Sequence, residues 1–174
     1  MTDDFDAPSR IGRIAGASAT IVALRDEIAA GQQWPTGSSA GDGPEAEWAP
    51  PEVLAHAAEM LQYWLGEIER VLAGTPEPVA FGRVATDPLR TLTIERDRTL
   101  PPGELIDRIQ SSVARYQARL PRLAPADWER RGLHPRLGEM TVAGMLDRFV
   151  VGHLEEHAIQ LRESLAGSAR AART

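Results

Sequence analysis

The chain has 174 residues, of which 43% are hydrophobic and 25% charged, a balance typical of one globular domain rather than of a disordered chain. The absence of cysteine excludes disulfides, cysteine-ligated metal sites and a nucleophilic thiol supplied by the protein, so any metal would have to be held by His, Asp or Glu. The formal net charge is −6, the 19 basic residues are interspersed among 25 acidic ones, and no apolar run approaches the ~20 residues that span a bilayer, so we expect no nucleic-acid and no membrane binding.

The chain begins with an acidic segment followed by a first predicted helix. Residues 1–9 are predicted to form a tail, and because a secretory signal would be basic here and then apolar, we expect a cytoplasmic protein. Ser9 is a candidate N-cap for a helix over residues 10–30, whose apolar side chains recur at helical spacing. Residues 31–50 are rich in Gly, Ser, Pro and Asp and are predicted to be a loop.

Two further helices are predicted on either side of a long connection. The second helix starts near Pro51, since proline is favoured in a first turn, and it ends at Gly74 as a C-terminal cap. Residues 75–102 contain five prolines, and the segment is too long for a tight turn, so we expect it to cross the bundle. Residues 92–94 are a candidate extended segment within it. The third helix is predicted over residues 103–123.

The last predicted helix follows a loop over residues 124–140. Thr141 is a natural N-cap, the helix runs to residue 166, and Gly167 ends it before a frayed tail over residues 168–174. Four helices of ~20 residues, with a long connection between the second and the third, predict an all-α four-helix bundle with a long crossover. The bundle is expected to occupy residues 10–167.

The last helix places two histidines on its apolar face. At ~100° per residue, His153 and His157 lie one turn apart within the stripe that also holds Val142 and Leu146. The same construction places His56 on the inner flank of the second helix. Buried imidazoles need partners for both ring nitrogens, and a metal ion with an outer hydrogen-bond acceptor on each ring would provide them. The alternative is that these histidines pack and form hydrogen bonds in a core without metal.

Four other polar residues are weighed as parts of such a site. Gln160 and Glu156 fall at the edge of the inward face and are candidates for contacts to the outer nitrogens or to a substrate, although a solvated helix edge is favoured for Glu156. Tyr63 is a candidate to line a pocket, with ordinary packing favoured. His134 is predicted to be a turn or capping residue rather than a fourth ligand. The sequence assigns no catalytic residue.

Three segments resemble the DinB/YfiT-like superfamily. Residues 48–56 (WAPPEVLAH) are similar to the opening of its second helix, residues 133–141 (LHPRLGEMT) to the lead into its last helix, and residues 152–157 (GHLEEH) to its His-x-x-x-His motif. The resemblance implies a DinB-like four-helix bundle in which His56, His153 and His157 hold a divalent ion such as zinc or nickel. Many members form dimers, so the resemblance also admits a homodimer.

The resemblance carries an expectation about the reaction. Characterised members are thiol-dependent transferases and isomerases that use bacillithiol, mycothiol or glutathione. In the mycothiol-dependent maleylpyruvate isomerases a Glu replaces the first residue of the last-helix pair, and His153 therefore fits the transferase pattern better. The resemblance implies a metal-dependent transferase that joins mycothiol or a similar small thiol to an electrophilic small molecule, with hydrolysis less favoured. A non-catalytic metal- or ligand-binding protein, or a dimeric interaction protein of the same fold, is the alternative.

Overall fold

The computed structural model describes residues 7–29 and 48–171 and is mainly helical. The helices are α1 (Ala7–Ala23), α2 (Arg25–Ala29), α3 (Pro50–Ala73), α4 (Pro88–Asp97), α5 (Pro102–Arg119), α6 (Pro125–Trp128), α7 (Val142–Leu146) and α8 (His153–Ala171). The strands are β1 (Val79–Ala80), β2 (Arg131–His134) and β3 (Gly138–Thr141). A 3₁₀ turn (Leu120–Arg122) follows α5, and a π-helical turn (Asp147–Gly152) joins α7 to α8.

Four helices, α1, α3, α5 and α8, form the bundle. Both α1 and α3 pack against α5 and against α8. Fully buried side chains fill the space between them: Ile14, Ile21, Leu54, Leu61, Ile106, Ile109, Leu154 and Leu161. The predicted all-α four-helix bundle is thus confirmed. Among the helices that lie within the described residues, none has the length and apolar character needed to cross a bilayer.

The helix that carries the first candidate ligand, α3, starts and ends close to its predicted limits. It opens with two prolines, Glu52 lies in its first turn and Arg70 in its last, which suits the positive and negative ends of the helix dipole. Gly74 ends the helix in an extended conformation with φ −85°, and not as the left-handed cap that a glycine there favours. A Cβ on Gly74 would lie 2.8 Å from Cγ2 of Val79, so the close approach of β1 explains the glycine.

The first helix differs from its prediction at both ends. It already includes Ala7, so Ser9 lies inside α1 and is not its N-cap. The helix is interrupted at Leu24, whose amide donates at 3.1 Å to the carbonyl of Ile21, three residues earlier, as in a 3₁₀ turn. The chain then continues as α2 to Ala29. Residue 30 and residues 31–47 of the predicted loop lie outside the described residues.

The long connection between α3 and α5 contains a helix that was not predicted. Residues 92–94, expected to be extended, lie inside α4. Asp87 caps this helix, since its carboxylate accepts a hydrogen bond from the Arg90 amide at 2.9 Å, and Pro88 follows in the first turn. These capping residues favour the helix over the extended form that the β-branched side chains suggest. The helix packs against α3.

The segment predicted to be a loop, residues 124–140, contains α6 and most of a small sheet. β2 pairs antiparallel with β3, with Gly132 opposite Met140, and β1 pairs in parallel with β2. A Cβ on Gly132 would lie 2.5 Å from Cδ1 of Phe81 and 2.7 Å from Cε of Met145. The glycine therefore lets the sheet lie directly against Phe81 and the start of the last helix.

The last helix begins as predicted and runs further than predicted. The Thr141 hydroxyl accepts a hydrogen bond from the Gly144 amide at 3.1 Å and so caps the helix. Gly167, the predicted end, lies inside α8, which continues to Ala171. The residues after Gly167 are mostly alanine and arginine, which have high helix propensity, and this explains the continuation.

The π-helical turn before α8 is fixed by an ion pair to α1. Arg10 donates from Nε and Nη2 to the two carboxylate oxygens of Asp147, at 2.7 and 2.6 Å. A Cβ on Gly152, at the other end of the turn, would lie 3.1 Å from the carbonyl oxygen of Asp147. Because a π-helical turn holds more residues than an α-helical one, it rotates α8 relative to a continuous α-helix. It thereby helps to set the direction in which the histidines of α8 point.

Candidate metal centre

Three histidine side chains from α3 and α8 converge between the two helices. Nε2 of His56 lies 3.0 Å from Nε2 of His153, and the ring centroids of His153 and His157 are 4.5 Å apart. The rings of His56 and His157 lie 5.0 Å apart, and one nitrogen of each of the three rings lies within 4.8 Å of the others. Tetrahedral ligands with metal–nitrogen bonds of about 2.0–2.1 Å are ~3.3 Å apart. The three rings therefore need only small adjustments to hold one ion.

Burial keeps the imidazoles of His56 and His153 uncharged at neutral pH. His56 and His157 are each 3% exposed, whereas the side chain of His153 is 27% exposed. Burial, followed by the nearby His157 and Arg90, lowers the pKa of His56 well below its usual value. The same causes, burial first, lower the pKa of His153 to about 3. The neutral ring is the form that binds metal, and a set of three imidazoles suits zinc and nickel, so the residues present fit a divalent ion.

The outer nitrogens of two histidines face polar side chains. Nδ1 of His157 donates to Oε1 of the buried Gln160 at 3.0 Å, which fixes the tautomer that presents Nε2 to the other rings. Nδ1 of His56 lies 3.8 Å from Oε2 of Glu59. Glu156, by contrast, is exposed, and its Oε2 lies 3.9 Å from Nδ1 of His153. Gln160, which was expected at the edge of the inward face, is thus buried beside His157, whereas Glu156 lies at the exposed edge of α8.

A cavity of about 140 Å³ opens beside His56 and His153. Its wall combines aromatic, small and basic side chains: Trp64, Arg83, Val84, Ala85, Arg90 and Phe149. The rings of Trp64 and Phe149 stack at 4.1 Å with 8° between their planes and form an apolar side. The cavity therefore offers an apolar surface and positive charge next to the three histidines.

Tyr63, for which packing was favoured over lining a pocket, packs against Arg83 and is absent from the described lining of this cavity. Cζ of Arg83 lies 3.8 Å from the centroid of the Tyr63 ring. Burial, followed by the charge of Glu67, raises the pKa of Tyr63 to about 12, so the phenol stays protonated at neutral pH. Its ring supports a residue of the cavity wall.

His134 is not part of the three-histidine group and instead stabilises a turn. Its Nε2 donates to the carbonyl of Arg83 at 3.2 Å, and its Nδ1 accepts from the amides of Arg136 and Leu137, each at 3.2 Å. Its ring covers Gly82, which has φ +80° and where a Cβ would lie 2.4 Å from Cδ2 of the ring. This geometry matches the predicted role as a turn residue.

The sequence argument did not identify three charged residues of the site. Arg90 is carried by α4, which the Asp-Pro capping signal at residues 87–88 would have revealed. Glu59 lies three residues after His56, a spacing that brings side chains together on a helix. Arg83 lies in the irregular segment between β1 and α4, where no local pattern indicates its position.

Comparisons with known proteins agree on the fold. The model of the DinB superfamily matches residues 14–161, and no protein of curated function matches the sequence. YfiT from Bacillus subtilis, a probable metal-dependent hydrolase with an unusual four-helix bundle topology, has a TM-score of 0.69 at 15% identity, over 99% of this chain and 90% of its own. The mycothiol-dependent maleylpyruvate isomerase has a TM-score of 0.67 at 16% identity, over 92% of this chain, which spans 63% of the isomerase chain. With the family model matching most of its length, the chain belongs to the DinB superfamily.

Proposed function

We propose that the protein is a divalent-metal-dependent transferase that joins a small thiol, mycothiol or a similar compound, to an electrophilic small molecule. The observation that carries the proposal is the position of the histidine group at the wall of an open cavity. Three protein ligands leave a coordination position for an exogenous group. His153 is partly exposed and lines the cavity, so a ligand in the cavity would reach an ion that the histidines hold.

The described residues have separate roles at the proposed site. His56, His153 and His157 would hold a divalent ion, which would supply Lewis acidity that lowers the pKa of a bound thiol or water. Gln160 orients the ring of His157, and burial keeps the rings of His56 and His153 in the neutral form that binds metal. Trp64 and Phe149 exclude water from one side of the cavity. Because the chain has no cysteine, the attacking sulfur has to belong to the cosubstrate.

The cavity wall favours a thiol over water as the nucleophile. Among the described residues, those lining the cavity include no carboxylate that would act as a general base. The nearby Glu59 is engaged by Nη2 of Arg83, which lies 2.6 Å from both carboxylate oxygens. A thiol, with an ordinary pKa of about 8.5, ionises on a metal without such a base far more readily than water does. The site therefore suits thiol transfer better than hydrolysis.

Hydrolysis is the second candidate because of the likeness to YfiT. That protein is a probable metal-dependent hydrolase, and the two folds match over 99% of this chain. The same histidine group would then act on a water molecule in place of the thiol.

A rate comparison with and without thiol tests the proposal. Protein loaded with zinc or nickel is incubated with mycothiol and monochlorobimane, and the fluorescent conjugate is followed against metal-free protein. We expect faster conjugation with metal, loss of the acceleration in His153→Ala, and a wild-type rate in Glu156→Gln, whose side chain is exposed on the same helix. Equal rates with and without metal would refute the proposal, and metal-dependent consumption of ester substrates without thiol would favour the hydrolase.

A further inference from the structure

The charge of the cavity is the feature that the proposed function leaves unexplained. The guanidinium groups of Arg83 and Arg90 line the same cavity as His56 and His153. Three neutral imidazoles leave both positive charges of a divalent ion uncompensated by its ligands. Glu59 forms an ion pair with Arg83, but an anionic group on a ligand in the cavity would still be attracted by both guanidinium groups and by such an ion.

We propose that the ligand of this cavity carries a carboxylate or a similar anionic group, which Arg90 binds together with Arg83, while the reacting end of the ligand lies at the histidine group. The inference rests on the proposed function, because it assumes that the same cavity receives the substrate or the thiol. It narrows that function to reactions in which either the electrophile or the thiol cosubstrate carries an anionic group.

Arg90 is held in place before any ligand arrives. Its backbone amide donates to Asp87, its Nη1 donates to the carbonyl of Ala85 at 3.1 Å, and its Cζ lies 5.1 Å from the centroid of the Trp48 ring. The residue is 7% exposed, so the guanidinium lies within the protein surface and not in bulk solvent. An arginine fork in fixed orientation matches the two oxygens of a carboxylate, and partial exclusion of water strengthens the pair.

Arg90 is also the better of the two residues to change. Arg83 pairs with Glu59 and packs on Tyr63, and its carbonyl accepts from His134, so its substitution would disturb several parts of the site. Arg90 contacts Ala85 and Asp87 just before α4, and the Trp48 ring. Its replacement by glutamine removes the charge and retains hydrogen-bond donors.

The test uses two thiols that differ only at the far end. Protein loaded with cobalt is titrated with 3-mercaptopropionate and with 3-mercaptopropanol, and binding is followed by the sulfur-to-cobalt absorption band. We expect Arg90→Gln to weaken binding of the carboxylate thiol by about 10-fold or more, the loss typical of a charge-assisted hydrogen bond, and to leave the alcohol within about threefold. Arg90→Lys keeps the charge without the fork and is expected to fall between the wild type and Arg90→Gln.

Arg162→Gln is the matched control, because it removes the same charge from an exposed position on α8 outside the cavity lining. It should leave the binding of both thiols unchanged. The anion site is overturned if Arg90→Gln weakens both thiols equally, or weakens neither, while cobalt still binds. A wild-type protein that binds no cobalt would overturn the proposed function and this inference together, so the two failures are distinguishable.

Discussion

The hydrogen bond from His157 to Gln160 allows the metal centre to be weakened without touching a ligand. Gln160→Met removes the acceptor of Nδ1 and nearly preserves side-chain volume. The bond is 3.0 Å long and both residues are buried, at 3% and 4% exposure, so water cannot readily take the place of the amide oxygen. We expect zinc affinity to fall about 10–100-fold, as it does when the outer partner of a ligating histidine is lost. This corresponds to about 1.4–2.8 kcal/mol.

Competition for zinc against a chromogenic chelator measures the effect near neutral pH. Gln160→Glu keeps an acceptor at the same place, and we expect its zinc affinity to equal or exceed that of the wild type. Glu156→Gln alters an exposed carboxylate 3.9 Å from Nδ1 of His153, beyond hydrogen-bond distance, and should change the affinity by less than about threefold. Wild-type affinity in a folded Gln160→Met protein would refute the assigned role of this hydrogen bond.

Three further predictions concern the metal-free fold and the turn that His134 holds. Burial lowers the pKa of His56 and of His153, the latter to about 3, so below about pH 6.5 the unfolded chain takes up protons that the native state does not. The free energy of unfolding, measured with urea, should therefore be highest above that pH and fall by about 1–2 kcal/mol per histidine on acidification to about pH 5; a flat profile would contradict this. Gly82→Ala should lose about 1–3 kcal/mol in thermal unfolding, because φ is +80° and the Cβ would meet the ring of His134, whereas Gly12→Ala, in open space on α1, should gain up to about 1 kcal/mol. Similar melting temperatures for the two would contradict the strain argument. His134→Ala should melt at a lower temperature yet bind zinc with wild-type stoichiometry by elemental analysis, and loss of zinc would show that it belongs to the centre.

Local signals in the sequence were sufficient for the helices that carry the histidines. The paired prolines that open α3, and Thr141 before the last helix, act through backbone groups within one turn, and the structure shows both where they were predicted. The four-residue spacing of His153 and His157 likewise places them one turn apart wherever the chain is helical. These features depend on neighbours in sequence alone.

What was missed depends on contacts between distant segments or on departures from regular geometry. The small sheet pairs β1 with β2 across about fifty residues, and nothing within either short segment indicates the other. The angular construction assumed a uniform α-helix, but the π-helical turn precedes His153 and leaves that side chain partly exposed, away from the middle of the apolar stripe. The approach of His56 to the other two follows from the packing of α3 against α8, which the periodicity of one helix cannot supply.

The histidine group is better explained by binding than by stability. His56 and His157 occupy positions buried as deeply as the surrounding leucines, where apolar side chains would fill the space without polar nitrogens to satisfy. Burial lowers the pKa of His56 and of His153, and this lowers the stability of the metal-free fold in mild acid. An ion that binds only the folded state adds binding free energy to folding and offsets that loss. Three such imidazoles, brought together from two helices beside a basic cavity, are therefore what a chain selected for ligand chemistry would keep and a chain selected for a stable core would replace.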